Sequence, residues 1–165
     1  MVSGVQPVAR AKGTAIYEPN ALIAAAQTVL GPEHPVLAAG VFGLQDSYRS
    51  IVLRSLINGD GAPGLAVREG RERAAKKQGL TLAMLIAVTA DTIHVLDFPA
   101  TGEPTQQFME FDRATSKVKV IWFGMSRRVH IQNADGTRKL RLTGSLAAFS
   151  VTSAGARAVL DLIAA

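Results

Sequence analysis

One segment, RRVHIQNADGTRKLRL (residues 127–142), constrains the fold more than any other part of the chain. Basic and aliphatic residues alternate on both sides of an Asp-Gly pair, and a period of two is typical of a β-hairpin with one buried face. With Asp135 and Gly136 as a two-residue turn, a shift of one residue would exchange the two faces, so the aliphatic pattern predicts basic side chains that point outward. The predicted inner pairs are Val129 with Leu142 and Ile131 with Leu140, and the predicted outer pairs are His130 with Arg141 and Gln132 with Lys139.

Short apolar runs separated by turn signals continue through the second half of the chain, at the spacing expected for a β-sandwich or barrel. In the strand that precedes the hairpin, Val118, Val120 and Trp122 alternate with Lys117 and Lys119. The two valines and the tryptophan are expected to face inward. The predicted strands are residues 36–44, 82–89, 92–98, 107–112, 117–123, 127–133 and 137–143.

The sheet is therefore predicted to present six basic side chains on one face, which form the candidate site for an anionic partner. Residues 114–144 carry seven basic side chains and one acidic, a net charge of +6, whereas residues 80–113 carry one basic and five acidic, a net charge of −4. Such asymmetry favours anionic partners, but strand exteriors are commonly charged, so an ordinary solvated surface is the alternative. Glu110 and Asp112 are expected to balance lysines across the next turn. The six candidate residues are Lys117, Lys119, Arg128, His130, Lys139 and Arg141.

Three amphipathic helices are predicted outside the strands. The first ends at Gly31, since glycine tolerates the left-handed cap, and the last is expected to begin with Ser153 as its N-cap. The apolar stripe of the first helix must be buried on its own sheet or on a second copy, and we expect self-association because the strands do not require the stripe for their core. The predicted helices are residues 20–30, 48–57 and 153–163, and the stripe of the first consists of Leu22, Ile23, Ala26, Val29 and Leu30.

About seven strands followed by one amphipathic helix resemble the pleckstrin-homology (PH) fold. The stretch LAMLIAVTADTIHVLDF is similar to the second and third strands of bacterial PH-like members, in which an apolar run, T-x-D/E and then I-x-V-x-D recur. The resemblance implies an α+β fold, namely an antiparallel β-sandwich or partly open barrel plugged by the C-terminal helix. It divides the chain into an N-terminal extension with one helix (residues 1–35) and a PH-like domain (36–165) with a helical and loop insert (45–79).

The chain departs from the family at two places. The only tryptophan, Trp122, lies in a strand and not on the terminal helix, where the eukaryotic fold usually carries one. The K-x-n-R-x-R arrangement of phosphoinositide-binding members is incomplete, because Arg71 and Arg73 lack the preceding lysine. The headgroup-binding role of those members is therefore not transferred to this chain.

No motif predicts catalysis, a cofactor or a metal. The chain has no cysteine, and its three histidines lie far apart in sequence. Residues 59–64 match GxGxxG, but a dinucleotide site needs a strand before this motif and a helix after it, whereas the preceding residues are predicted helical and Pro63 removes a backbone N–H. We expect a flexible loop there, no cofactor and no enzyme activity.

The leading hypothesis is a non-catalytic binding or scaffold module that engages a protein partner or itself. The alternative is a receptor for an anionic ligand, either acidic lipid or nucleic acid, that uses the basic sheet face. Nucleic acid ranks behind lipid, since few aromatic residues are interleaved with the basic ones for stacking. No signal peptide or transmembrane segment is predicted, and a cytoplasmic location is expected.

Overall fold

A computed structural model describes residues 15–45, 83–99, 101–148 and 150–164 of the chain. Its helices are α1 (Pro19–Leu30) and α2 (Ser153–Ile163), and its strands are β1 (Ala38–Leu44), β2 (Ala83–Val88), β3 (Thr92–Asp97), β4 (Gln107–Asp112), β5 (Lys117–Phe123), β6 (Ser126–Gln132) and β7 (Lys139–Ser145). The strands form one open antiparallel sheet in the order β4-β3-β2-β1-β7-β6-β5. The predicted α+β class, with seven antiparallel strands and a C-terminal helix, is confirmed. Three features of the insert lie outside the described residues: the helix predicted at residues 48–57, the GxGxxG motif at 59–64, and Arg71 with Arg73.

The register predicted for the β6–β7 hairpin is confirmed at all four pairs. The turn is longer than predicted, because the Asn133 N–H donates to the Arg138 carbonyl and leaves the four residues 134–137 as the loop. Gly136 has a φ of +75°, which glycine adopts without strain. The Asp135 carboxylate accepts hydrogen bonds from the backbone N–H and the hydroxyl of Thr137, so this side chain stabilises the longer loop.

The main core lies between the inner face of the sheet and α2. Val129, Ile131, Leu140 and Leu142 are fully buried there, as the alternation predicts. Helix α2 approaches the sheet closely at β1, where a Cβ on Gly40 would lie 2.6 Å from the Gly155 carbonyl group. The bare backbone of both glycines therefore sets the distance between this helix and the sheet. The N-cap of α2 is Thr152, not Ser153 as predicted, and no side chain caps the helix.

A second core lies on the opposite face of β1–β3, under α1. Leu22, Ala26 and Leu30 recur every four residues along α1 and are buried against apolar side chains of β1, β2 and β3. Pro19 at the first turn favours the helix start, and the Gly31 N–H donates to the Gln27 carbonyl at its end. The apolar stripe is thus buried on its own sheet, so the argument for self-association that depended on this stripe was wrong.

Strands β5–β7 differ from β1–β3 because only one of their faces is buried. Burial alternates along β6 and β7, and β5, at the edge of the sheet, is at most half-buried on its inner side, whereas β2 is buried at five consecutive residues. None of the described helices is long and apolar enough to cross a membrane.

Candidate functional site

Cross-strand pairing brings all six predicted basic side chains onto the outer face of β5–β7, hereafter the basic face. Neighbouring strands align them in rows, with His130 at the centre of the middle row. All of them are exposed except His130, which is half-buried. The three rows are Lys117–Gln132–Lys139, Lys119–His130–Arg141 and Ile121–Arg128–Thr143.

The basic face concentrates positive charge. In the first two rows the Lys and Arg side chains lie on β5 and β7, with Gln132 or His130 between them, so they are two strand spacings, about 10 Å, apart. The only acidic residue within residues 114–144, Asp135, lies in the β6–β7 loop, where the hydrogen bonds from Thr137 lower the pKa of its carboxyl. The five Lys and Arg side chains of the basic face are therefore close enough to act together on one anionic partner.

The expected charge balance between β4 and β5 is not formed by strand pairing. β4 and β5 are the two opposite edges of the sheet, so Glu110 and Asp112 are not cross-strand neighbours of the lysines. The Asp112 carboxylate instead accepts hydrogen bonds from the backbone N–H groups of Ala114 and Thr115 in the turn. The prediction was wrong because consecutive strands were assumed to be adjacent.

A cluster of exposed apolar side chains lies at the end of the β5–β6 hairpin. Trp122 is 76% exposed, Phe123 61% and Met125 65%. Phe123 pairs with Ser126, so Gly124 and Met125 form a two-residue turn, and Gly124 supplies the positive φ of +58° that such a turn needs at its first position. We call residues 122–128 the β5–β6 tip.

Each aromatic ring of the β5–β6 tip is stacked against an arginine. The Arg127 guanidinium lies 3.6 Å from the Trp122 ring centroid, and the Arg128 guanidinium lies 4.3 Å from that of Phe123. Arg127 also donates hydrogen bonds to the carbonyls of Gly124 and Ser126, which hold it against the turn. Cation–π pairs of this kind contribute about 0.5–1 kcal/mol at exposed sites, so they orient the arginines more than they stabilise the fold.

The exposure of Trp122 contradicts the inward position predicted for it. The alternation is correct, since Trp122 shares its side of the sheet with Val118 and Val120. However, the neighbours of Trp122 on β6 and β7 are Arg127 and Gly144. In the two preceding rows, the same positions on β6 and β7 hold aliphatic side chains. The apolar core therefore ends one row before Trp122. The arginine opposite the tryptophan was the sequence signal that could have revealed this.

The fold brings together two histidines that are distant in sequence. The rings of His34 and His94 have centroids 5.9 Å apart, and the His94 Nδ1 lies 3.0 Å from the Gln107 side-chain oxygen. Burial lowers the pKa of His94, and its Nε2 has no hydrogen-bond partner among the described residues. No group of three or more potential metal ligands lies within the described parts of the chain.

One cleft, about 380 Å³ in volume, lies where β3 and β4 meet the end of α2. Its most prominent polar group is Arg113, whose guanidinium donates to the carbonyls of Thr89, Ala90 and Leu162. These bonds tie the end of β2 to the C-terminus of α2. Arg113 therefore holds the fold together at this cleft.

No protein-family model matches the chain, and no curated protein matches it in sequence. A function is therefore proposed from the basic face and the β5–β6 tip.

Proposed function

We propose that this chain is a non-catalytic binding module, of the PH-like type that the sequence resembles, and that it holds an anionic partner on the basic face. The observation that carries this proposal is the cross-strand alignment of the basic residues on an exposed sheet face. A cytoplasmic location is part of the proposal.

The energetics favour a partner with several negative charges. A Lys or Arg near an anionic surface contributes about 1 kcal/mol, and this contribution falls off within a Debye length of about 8–10 Å. One row alone gives a very weak site, whereas the five Lys and Arg side chains of the three rows together contribute about 5 kcal/mol, which corresponds to a sub-millimolar affinity with a strong dependence on salt.

An acidic protein surface is the second candidate partner. It is favoured by the exposed Trp122 stacked on Arg127, because Trp and Arg are enriched among the residues that dominate protein interfaces. Self-association has lost its main support, since the α1 stripe is buried within the chain.

Retention on a heparin resin tests the basic face with a polyanion of defined chemistry. Arg141→Glu and Arg157→Glu change the net charge equally, but Arg141 lies on the basic face whereas Arg157 is exposed on α2. We expect Arg141→Glu to elute at clearly lower salt than the wild type and Arg157→Glu to elute close to it.

The double variant Arg128→Glu/Arg141→Glu is expected to be barely retained. Its circular dichroism spectrum should match that of the wild type, and its thermal midpoint should fall by only about 2–4 °C, because both side chains are exposed and the Arg128–Phe123 pair contributes about 0.5–1 kcal/mol. Equal elution of Arg141→Glu and Arg157→Glu would show that only net charge matters, and the proposal would be wrong.

A further inference from the structure

The β5–β6 tip concentrates exposed apolar surface. Among the described residues, five large apolar side chains are exposed, and three of them, Trp122, Phe123 and Met125, fall within four consecutive positions. The other two, Leu37 and Val151, are isolated in sequence. Single exposed apolar residues are ordinary, but a cluster at the end of a hairpin indicates a contact surface.

The apolar side chains surround the end of the hairpin and do not line a groove. Trp122 and Phe123 are consecutive residues of β5 and therefore point to opposite faces of the sheet, while Met125 lies in the turn between the strands. A single-stranded nucleic acid stacks successive bases on rings that share one face. Apolar groups on both faces and at the turn instead suit a hairpin that enters its partner end-on.

Positive charge lies beside the apolar residues of the tip. The backbone positions of Arg127 and Arg128 are about 7–10 Å along the strand from Met125, but both guanidinium groups reach back toward the turn, since that of Arg127 donates to the Gly124 carbonyl and that of Arg128 lies over the Phe123 ring. An apolar segment that lies in a membrane interface is buried by about 5–10 Å at the boundary between headgroups and acyl chains. When the tip lies at this boundary, the guanidinium groups beside Trp122 and Phe123 are within reach of the lipid phosphates, which guanidinium groups bind in bidentate geometry.

From this arrangement we propose that the anionic partner is an acidic lipid bilayer, and that the β5–β6 tip enters the bilayer interface as an apolar wedge while the basic face is attracted to the headgroups, most strongly in the Arg128 row nearest the tip. This inference rests on the proposed function and adds the chemical class of the partner. Tryptophan is enriched at such interfaces because its ring is amphipathic, which agrees with the position of Trp122 at the base of the wedge.

The fluorescence of Trp122 reports on the wedge without any label, because it is the only tryptophan of the chain. The full chain is mixed with vesicles of phosphatidylglycerol and phosphatidylcholine, or of phosphatidylcholine alone. We expect a blue shift of the emission with the acidic vesicles, quenching by brominated acyl chains, and little change with the neutral vesicles.

One double substitution and one single control substitution separate the wedge from the basic face. Phe123→Ser/Met125→Ser is expected to weaken partition onto acidic vesicles by about tenfold or more, since it removes two apolar side chains from the interface. Its elution from heparin should stay close to that of the wild type, because no charge has changed. Val151→Ser, which alters an exposed apolar residue outside residues 122–128, is the matched control and should bind vesicles normally.

The outcomes distinguish this inference from the proposed function. Retention on heparin that depends on Arg141, together with unchanged Trp122 emission on acidic vesicles, would overturn the membrane inference and leave a different anionic partner. An equal blue shift on neutral vesicles would also overturn it. Binding to neither heparin nor acidic vesicles would overturn both proposals.

Discussion

The two halves of the sheet share one inner core but differ in what covers their outer faces. On β1–β3, Val41, Leu85 and Leu96 are buried under α1. On β5–β7, Lys119 and Arg141 are exposed at the corresponding outer face. One half is thus a sheet between two helices, whereas the other carries exposed cationic side chains on its outer face.

The comparison shows how the sequence encodes a covered and an uncovered face. A strand buried on both sides needs a continuous apolar run, as in AMLIAV of β2, whereas a strand buried on one side needs only every second residue, as in SRRVHIQ of β6. The basic face therefore follows from the alternation of polar and apolar residues along β6 and β7.

The largest effect is expected when a charge is placed on the outer face of each half. Leu85→Lys buries an unpaired ammonium under α1 and should cost more than about 4 kcal/mol of unfolding free energy, enough to unfold the chain. Ile121→Lys, beside Arg128 on the basic face, should cost about 1 kcal/mol or less. Urea denaturation measures both, and similar losses would show that the two outer faces are not different.

The next effect concerns the close approach of α2 to the covered half. Gly40→Ala places a Cβ 2.6 Å from the Gly155 carbonyl group, so the helix must shift, at a cost of about 1–3 kcal/mol. Gly144→Ala, in β7, meets the edge of the Phe42 ring, and a side chain moves more readily than a backbone. We expect a smaller loss there, and denaturant midpoints with the reverse order would contradict this account of the packing.

A pH dependence is expected from the covered half, where His94 is buried. Its pKa is lowered in the folded state, chiefly by burial, so the unfolded chain binds the proton more readily. The stability that depends on a neutral His94 is therefore complete above about pH 6.5, the usual pKa of histidine, and is lost as the pH falls below this value. Thermal midpoints from pH 8 to 5 should fall less steeply for His94→Gln than for the wild type, and parallel slopes would be evidence against this assignment.

The smallest effect is expected on the basic face itself. Lys119→Gln removes one positive charge from the basic face and should raise the unfolding free energy by at most a few tenths of a kcal/mol at low salt, because the repulsion from Arg141 acts across two strand spacings. The gain should disappear at high salt, while retention on heparin decreases. Opposite changes in stability and binding would indicate that the charges are kept for a partner.

The alternation along the chain was sufficient to predict the register of the β6–β7 hairpin and the six residues of the basic face. Burial of Val129 and Ile131 fixes which side faces water, and a one-residue slip would expose both. The order of the strands was not predictable in this way, because pairing between distant strands leaves no local pattern. Glu110 was consequently placed beside lysines that lie at the other edge of the sheet.

The β5–β6 tip was missed for a different physical reason. Alternation gives the side of the sheet to which Trp122 points, but burial also depends on how far the core extends along the strand. That extent is set by Phe42, which packs over Gly144, and by the position of α2, and neither is encoded near Trp122. The covering of the outer face by α1 was likewise left open, since an apolar stripe does not reveal the surface on which it packs.

Thiol labelling tests the central claim most directly, because the chain has no cysteine of its own. Ala87→Cys places a thiol on the outer face of β2 under α1, and Lys119→Cys places one on the basic face. We predict that the Lys119→Cys thiol reacts with a maleimide almost as fast as a free thiol, that heparin or acidic vesicles slow it, and that the Ala87→Cys thiol reacts far more slowly in all conditions. A Lys119→Cys thiol that is as slow as Ala87→Cys without any partner would show that the basic face is covered and would contradict the account.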